Sequence, residues 1–271
     1  MNILIPMAGA GSRFAEAGYT TSKPAIATTD RRTGKELPMV VCAVRDLPGV
    51  EPDGGNVTFV DRTFHKSDGV EDEIRKHFPG ASFVTVDHLT EGQACTCLLA
   101  KDRIDNGEEL LIAGCDNGMA FDEGRFVAEK ENADCLVFTY RHNEAVLDNP
   151  GAYGWMRVDG NNNITGTSIK KSISENPTED HAVVATFWFR RGADFVRAAE
   201  KMIREDDRVN GEFYVDQVVR HILDLGLRAR AFEIDRYICW GTPKDYEDYQ
   251  ATLRYWAAFV NDRRFLGKQG V

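Results

Sequence analysis

Residues 1–24 read MNILIPMAGAGSRFAEAGYTTSKP, and this stretch decides the fold. Its short apolar run, Ile3–Ile5, is long enough for a buried strand and too short for a helix or a membrane span. After Pro6 comes a turn of small residues that ends in a cation: Ala8, Gly9, Ala10, Gly11, Ser12 and Arg13. Small residues let bare backbone approach a ligand closely, and the N–H groups of such a turn attract anions. Because Arg13 and Lys23 add positive charge, the stretch predicts a polyphosphate-binding loop behind a buried strand.

Two common phosphate-binding motifs are excluded by the same residues. A dinucleotide fingerprint needs a third glycine, and Phe14 stands in its place. A P-loop needs Gly-Lys followed by Ser or Thr, and no such string follows. The specific feature is therefore the whole string, GxGSRF followed by Lys23-Pro24. An ordinary turn at the end of a strand is the alternative explanation of the glycines alone.

The composition of the chain restricts its partners. A net charge of −10 over 271 residues argues against a nucleic-acid backbone or an anionic membrane as the main partner. No apolar run approaches the length of a membrane span, and no basic-plus-apolar export signal opens the chain. The six cysteines include no CxxC pair, and several lie within apolar runs, as free buried thiols do. We therefore expect a cytoplasmic protein.

Strand-like and helix-like segments alternate along the first half of the chain. Asn56–Val60 and Ser82–Val86 are typical of strands, and Asp68–Phe78 between them has the spacing of an amphipathic helix. This alternation indicates a parallel sheet covered by helices. No repeat, low-complexity tract or linker-like stretch divides the chain, which favours a single domain over residues 1–271.

A second chemical signal comes at the end of another apolar strand. Leu110–Ala113 leads into Gly114-Cys115-Asp116-Asn117-Gly118, which places a carboxylate where the strand ends. Ligands of doubly wound sheets bind at the carboxyl ends of the strands, and Mg²⁺ prefers hard oxygen ligands together with phosphate oxygens. Asp116 is therefore the best candidate for a magnesium ligand. A turn that only ends the strand is the alternative.

These ordered motifs resemble the sugar-1-phosphate nucleotidylyltransferase superfamily, whose N-terminal signature is GxGxR followed by Pro and Lys. The segment around Asp116 resembles its LxxGDN element, Gly211-Glu212 resembles its GE segment, and Cys239 to Tyr246 resembles its DxGTPxDY element. The resemblance covers Ile3 to Tyr249.

The resemblance implies an α/β fold, a Rossmann-like doubly wound mixed sheet with helices on both faces (the GT-A-like nucleotidyltransferase fold), and a small β-hairpin for the acceptor. It implies that residues 1–118 mainly bind the nucleotide and residues 119–250 mainly bind the acceptor. Residues 251–271 are then the end of a C-terminal helix and a tail, without the left-handed β-helix that some relatives carry.

The resemblance also implies roles for individual residues. Arg13, Lys23 and Asp116 would be catalytic, with Asp116 also holding Mg²⁺. The nucleotide would be bound by the turn and by the start of the helix after Ser82–Val86, that is, by Ala8, Gly9, Ala10, Gly11, Ser12, Arg13, Gly92 and Gln93. The acceptor would be bound by Asn117, Gly154, Lys171 and Glu212. Capping of that helix is the alternative role for Gln93, and a favourable helix-start position is the alternative for Glu212.

Three positions, in two segments, depart from the family pattern. The hairpin usually exits through Glu-Lys-Pro, whereas this chain has Lys170-Lys171-Ser172, with Lys171 at the position of the family lysine. The aspartate expected as second metal ligand is Cys239, and a thiol is a poor ligand for Mg²⁺. Either Asp116 suffices as the protein's carboxylate, or Asp235 replaces the missing ligand, or catalysis is weakened.

The implied activity couples a nucleoside triphosphate (CTP, UTP, dTTP or GTP) to a small phosphorylated acceptor and releases pyrophosphate. Most relatives use a sugar 1-phosphate, which would place the protein in surface-polysaccharide synthesis. A cytidylyltransferase for a phosphorylated alcohol such as phosphocholine is one alternative. A GT-A glycosyltransferase and a non-catalytic nucleotide-binding homologue are the others. Homo-oligomers are common in the family, although no feature of this sequence indicates one.

Overall fold

The apolar run that opens the chain forms the central strand of a large sheet. A computed structural model of the protein describes residues 1–261, and the tail predicted after Asn261 lies outside these residues. The strands are β1 (Asn2–Pro6), β2 (Ala27–Thr29), β3 (Glu36–Pro38), β4 (Val57–Arg62), β5 (Ser82–Val86), β6 (Leu110–Ala113), β7 (Asn117–Ala120), β8 (Cys135–Tyr140), β9 (Gly154–Val158), β10 (Ile164–Ile169), β11 (His181–Phe189), β12 (Ala229–Glu233) and β13 (Arg236–Cys239). The helices are α1 (Ser12–Glu16), α2 (Met39–Arg45), α3 (Thr63–Ser67), α4 (Val70–Arg75), α5 (Gln93–Leu98), α6 (Lys101–Ile104), α7 (Glu123–Lys130), α8 (Ala145–Asp148), α9 (Gly192–Arg204), α10 (Val215–Asp224) and α11 (Pro243–Asn261).

The large sheet is mixed, as predicted. Strand β1 pairs in parallel with β4 and β6, and β5 extends this parallel part beside β4. Strand β11 runs antiparallel to β6, β8 and β9, and β9 and β10 form the predicted hairpin. Strand β12, which the sequence analysis did not identify, pairs in parallel with β8.

Helices cover both faces of this sheet. Ile3 and Ile5 of β1 belong to a core packed by α2 and α4, whereas Leu4 belongs to a second core packed by α5, α9 and α10. Successive side chains of a strand point to opposite faces, so an uninterrupted apolar run is what a strand buried on both faces requires. The doubly wound prediction is thus confirmed.

Two small two-stranded sheets bring distant parts of the chain to the carboxyl ends of the central strands. One is the β2–β3 hairpin, and the other pairs β7 with β13, so that Cys239 lies opposite Asn117. The backbone N–H of Trp240 donates to the Asp116 carbonyl oxygen at 2.9 Å. The segment that leads into α11 is thereby held against the loop between β6 and β7.

Two predicted helices differ in the structure. The helix predicted over Asp68–Phe78 is shorter in the structure, where α4 covers only Val70–Arg75; the separate helix α3 precedes it, and Gly69 between the two adopts a left-handed φ of 74°. The helix predicted from Gly211 begins at Val215. Phe213 instead donates its N–H to Glu91 and accepts one from Ala94, so this segment pairs with the loop before α5.

In the described range, 1–261, none of the helices has both the length and the apolar character that crossing a membrane requires.

Candidate active site

A cavity of about 730 Å³ opens where β1 and β6 end. Its walls are built from the loop after β1, the loop before α5, the loop between β6 and β7, the start of β9, the segment before α10 and the loop before α11. Twelve of the predicted site residues line it: Ala8, Gly9, Ala10, Gly11, Arg13, Lys23, Gly92, Gln93, Asp116, Asn117, Gly154 and Glu212. The structure therefore brings most of the predicted residues around one cavity.

Three predicted site residues do not line this cavity. Ser12 begins α1 and is exposed. Lys171 is also exposed, and its neighbour Lys170 takes the place in the cavity that was predicted for it. Asp235 pairs with Arg125 at 3.1 Å, away from Asp116, so the structure does not support it as the replacement metal ligand.

The turn after β1 presents its backbone to the cavity. Gly11 adopts a left-handed φ of 64° just before α1, a conformation that costs a glycine little. A Cβ added to Gly9 would meet no atom within 4 Å, so the space beside this turn is open. Gly92 differs, because a Cβ there would lie 2.5 Å from the backbone of Phe213. The requirement for glycine at position 92 is thus explained by the packing of two loops.

Lys23 and Asp116 form an ion pair in the cavity wall. The Lys23 Nζ lies 2.6 Å from Asp116 Oδ2 and also donates to the Gly241 carbonyl oxygen at 3.0 Å. Burial alone would raise the pKa of the Asp116 carboxyl, but the Lys23 ammonium outweighs it and holds this pKa below its usual value. Burial likewise opposes the charge on Lys23, yet Asp116 raises the pKa of the amine. Both groups are therefore charged at neutral pH.

Arg13 is the exposed cation of the cavity. Its guanidinium makes no hydrogen bond or ion pair with any residue in the part of the chain that the structure describes. It lies close enough to lower the pKa of the Asp116 carboxyl, as a smaller contribution beside that of Lys23. An unpaired guanidinium facing a cavity is available to an anionic ligand.

Another part of the cavity wall combines a lysine with carboxyl and phenol groups. Lys170 Nζ donates to the Ala152 carbonyl oxygen at 2.6 Å and lies 5.3 Å from the centre of the Tyr214 ring. Burial raises the pKa of Asp216 to about 6, against the opposing effect of Lys170. The Tyr214 hydroxyl donates to the Glu212 carboxylate, which fixes the direction of that side chain.

Asp245 is a cavity residue that the sequence analysis did not select. Its Oδ2 accepts a hydrogen bond from the Thr242 hydroxyl at 2.6 Å and lies 3.5 Å from the sulfur of Cys239. Burial, with Asp245 adding to it, raises the pKa of the Cys239 thiol to about 12, so this thiol stays protonated. The available signal was the position of Asp245 three residues after Thr242, a spacing that lets the first turn of a helix fold back on its cap.

The donor atoms around Asp116 fit a hard divalent cation. The Asp116 carboxylate is anionic and its side chain is 31% exposed, so one ligand can be offered to the cavity. The protonated Cys239 thiol is a poor donor for such an ion, whereas the Asp245 carboxylate beside it is a suitable one.

No protein-family model matches this chain, and no curated protein matches it either. Solved structures do. A nucleoside-diphosphate-sugar pyrophosphorylase from Vibrio cholerae RC9 superposes with a TM-score of 0.70 at 21% identity, covering 91% of this chain and 98% of that one. A protein described as a glucose-1-phosphate thymidylyltransferase from Bacillus anthracis gives 0.70 at 20% identity, covering 94% and 95%. The inositol-1-phosphate CTP transferase of T. maritima gives 0.62 at 13% identity, covering 92% and 93%. This protein therefore has the fold shared by these pyrophosphorylase and nucleotidyltransferase structures.

Proposed function

We propose that the protein is a nucleotidyltransferase that couples a nucleoside triphosphate to a small phosphorylated acceptor and releases pyrophosphate. The observation that carries this proposal is the convergence of the glycine turn, Arg13, Lys23 and Asp116 on one cavity. A further lysine of the same cavity, Lys170, is available to a second phosphate. We also propose that residues 1–118 supply most of the nucleotide half and residues 119–250 most of the acceptor half.

The reaction needs alignment and charge neutralisation more than proton transfer. An acceptor phosphate oxygen is already nucleophilic; it forms a bond to the α-phosphorus, and the bond from that phosphorus to the pyrophosphate oxygen breaks. Repulsion between two anions and the charge growing on pyrophosphate oppose this step. Arg13, which has no partner among residues 1–261, binds the leaving pyrophosphate, and Lys23 stabilises the α-phosphoryl group.

A divalent cation, Mg²⁺ in the first instance, supplies neutralisation of the phosphate charges when it is bound. Asp116 is the residue that would hold it, with Asp245 the nearby carboxylate of the α11 start. On the acceptor side, Lys170 binds the phosphate, in place of Lys171. Glu212 binds hydroxyl groups of a sugar acceptor.

Pyrophosphate release tests the proposal. Purified protein is given each of CTP, UTP, dTTP, GTP and ATP with a panel of sugar 1-phosphates and phosphorylated alcohols. Arg13→Ala and Asp116→Ala each remove one preorganised charge. Each should raise the free energy of the transition state by about 3–4 kcal/mol and so lower turnover about 10²–10³-fold. Arg103→Ala is the matched control, because Arg103 is exposed and lies outside the cavity. Near-normal turnover in either cavity variant would refute the assigned roles.

A phosphorylated alcohol that carries a cationic group is a second candidate acceptor. The cavity lining includes the rings of Tyr153, Tyr214 and Tyr237 as well as the carboxyl groups of Glu212 and Asp216. Aromatic faces and carboxylates both favour a cation, and Tyr214 already lies under the Lys170 ammonium. Preference for phosphocholine over glucose 1-phosphate in the same assay would select this candidate.

Pyrophosphate release also distinguishes the proposal from the remaining alternatives, neither of which produces it. A glycosyltransferase would release a nucleoside diphosphate from a sugar nucleotide, and a non-catalytic homologue would bind a nucleotide without releasing either product. The observation behind the non-catalytic alternative is the thiol of Cys239, which stands on β13 opposite Asn117 where the family pattern has an aspartate.

A further inference from the structure

The Lys23 ammonium contacts the carboxylate oxygen of Asp116 that a metal ion would use. Its Nζ is 2.6 Å from Asp116 Oδ2 and 3.0 Å from the Gly241 carbonyl oxygen, and it faces the Phe14 ring at 5.3 Å. The Lys23 ammonium thus donates hydrogen bonds to two oxygen atoms. The side chain of Lys23 is only 17% exposed, so the contact is enclosed by the cavity wall.

Because of its positive charge, Lys23 competes with a metal cation for the Asp116 carboxylate. The Lys23 ammonium and the Asp116 carboxylate form an ion pair at 2.6 Å, in which each charge stabilises the other. A divalent cation bound to Asp116 with Lys23 in place would stand next to a like charge in a half-buried site, where Coulomb repulsion is several times stronger than in water. The same repulsion disappears once Lys23 moves away.

We propose that Lys23 occupies the cation position in the nucleotide-free protein, so that a divalent cation binds Asp116 only once a triphosphate has drawn Lys23 away. This inference rests on the proposed function, because it assigns the triphosphate as the ligand that moves the lysine. It makes cation and nucleotide binding mutually dependent, and it gives Lys23 a role in the order of binding besides its contact with the reacting phosphate.

The surroundings of Lys23 explain how a triphosphate moves it. A Cβ added to Gly11 would lie 3.8 Å from the Cβ of Lys23, so the lysine stem runs beside the glycine turn. A polyphosphate bound at that turn offers anionic oxygens to the ammonium and further oxygen ligands to the cation. Both ions then have partners without sharing Asp116.

Mn²⁺ binding to the nucleotide-free protein, followed by electron paramagnetic resonance, tests the inference directly. Wild type should bind Mn²⁺ weakly, and Lys23→Gln should bind it about tenfold more tightly or better, because a like charge has been removed from a site of low effective dielectric. Lys170→Gln is the matched control: it removes another lysine of the same cavity that has its own partner, the Ala152 carbonyl oxygen. Its Mn²⁺ affinity should stay close to wild type.

Three results would overturn the inference. Lys23→Gln could bind Mn²⁺ no more tightly than wild type, the gain could appear equally in Lys170→Gln, or it could survive Asp116→Asn in the Lys23→Gln background. Lys23→Met, which keeps the length of the stem, serves as a second variant should Lys23→Gln fold poorly. Failure of the proposed function is read separately, as absence of pyrophosphate release by wild type.

Discussion

At the scale of single residues, Asp61 is a buried carboxyl group whose environment disfavours its charged form. Its side chain is fully buried near the end of β4, and neither carboxylate oxygen has a hydrogen-bond partner among residues 1–261. Burial raises its pKa to about 6; the Thr85 hydroxyl opposes the shift and the Glu71 carboxyl adds to it. A carboxyl whose pKa is higher in the folded state stabilises the fold fully below the unfolded pKa. That stability is lost as the pH rises through about 6.

Asp61→Asn should therefore change how stability depends on pH. A shift of one pKa unit corresponds to about 1.4 kcal/mol. As the pH rises from about 4 to about 8, the free energy of unfolding of the variant should therefore increase, relative to that of wild type, by up to about 3 kcal/mol. Urea unfolding across this range measures the difference. Asp102→Asn, at an exposed position, should run parallel to wild type. A constant difference between Asp61→Asn and wild type would contradict the argument.

At the scale of elements, the contact between β9 and α10 explains why position 154 is glycine. A Cβ on Gly154, the first residue of β9, would overlap the carboxylate of Asp216 near the start of α10. The strand and the helix therefore approach closely where both border the cavity. The requirement at Gly154 is one of packing, which is a role the sequence did not distinguish from acceptor binding.

Gly154→Ala should destabilise the protein by about 1–3 kcal/mol, the usual cost of inserting a methyl group into a filled space. Because the obstacle is one side chain, Asp216→Ala should recover most of that loss in the double variant. Gly166→Ala on the neighbouring strand is the control, since its Cβ would meet Arg157 at an ordinary 3.8 Å. Denaturant unfolding measures all four proteins, and a double variant as unstable as Gly154→Ala would disprove the contact.

At the scale of the whole molecule, the cavity joins parts of the chain that are far apart in sequence. Lys23 meets Gly241 and Asp116, so three segments meet at one cation. A ligand bound there contacts only the folded state, and such a ligand raises the stability of the entire fold.

A nucleoside triphosphate with Mn²⁺ should accordingly raise the melting temperature. A hundredfold excess over Kd adds about 2.7 kcal/mol, which for a chain of this size corresponds to about 5–10 °C. Differential scanning fluorimetry with each nucleotide, with and without Mn²⁺, measures the shift. Asp116→Asn should lose the part that depends on the cation. No shift with any of the five nucleotides at millimolar concentration would count against a nucleotide site.

The sequence by itself determined the fold class and most of the residues that line the candidate site. A parallel strand buried on both faces has to be apolar throughout, which is why Ile3–Ile5 and Leu110–Ala113 could be predicted as strands. Ligands of such sheets bind at the carboxyl ends of the strands, so Arg13 and Asp116, which follow these runs, could be chosen as candidates from the order of the residues. Their meeting in one cavity follows from strands β1 and β6 being neighbours.

Only the tertiary structure decided which of several adjacent polar residues enters the cavity. Lys170 adopts a positive φ of 60°, and this local backbone conformation, which no residue spacing announces, accompanies the entry of Lys170 rather than Lys171. Asp245 reaches Cys239 because a helix begins at Pro243, whereas Asp235 is held outside by Arg125. Side-chain direction depends on backbone angles and on partners contributed by remote segments, and neither is written in the order of the residues.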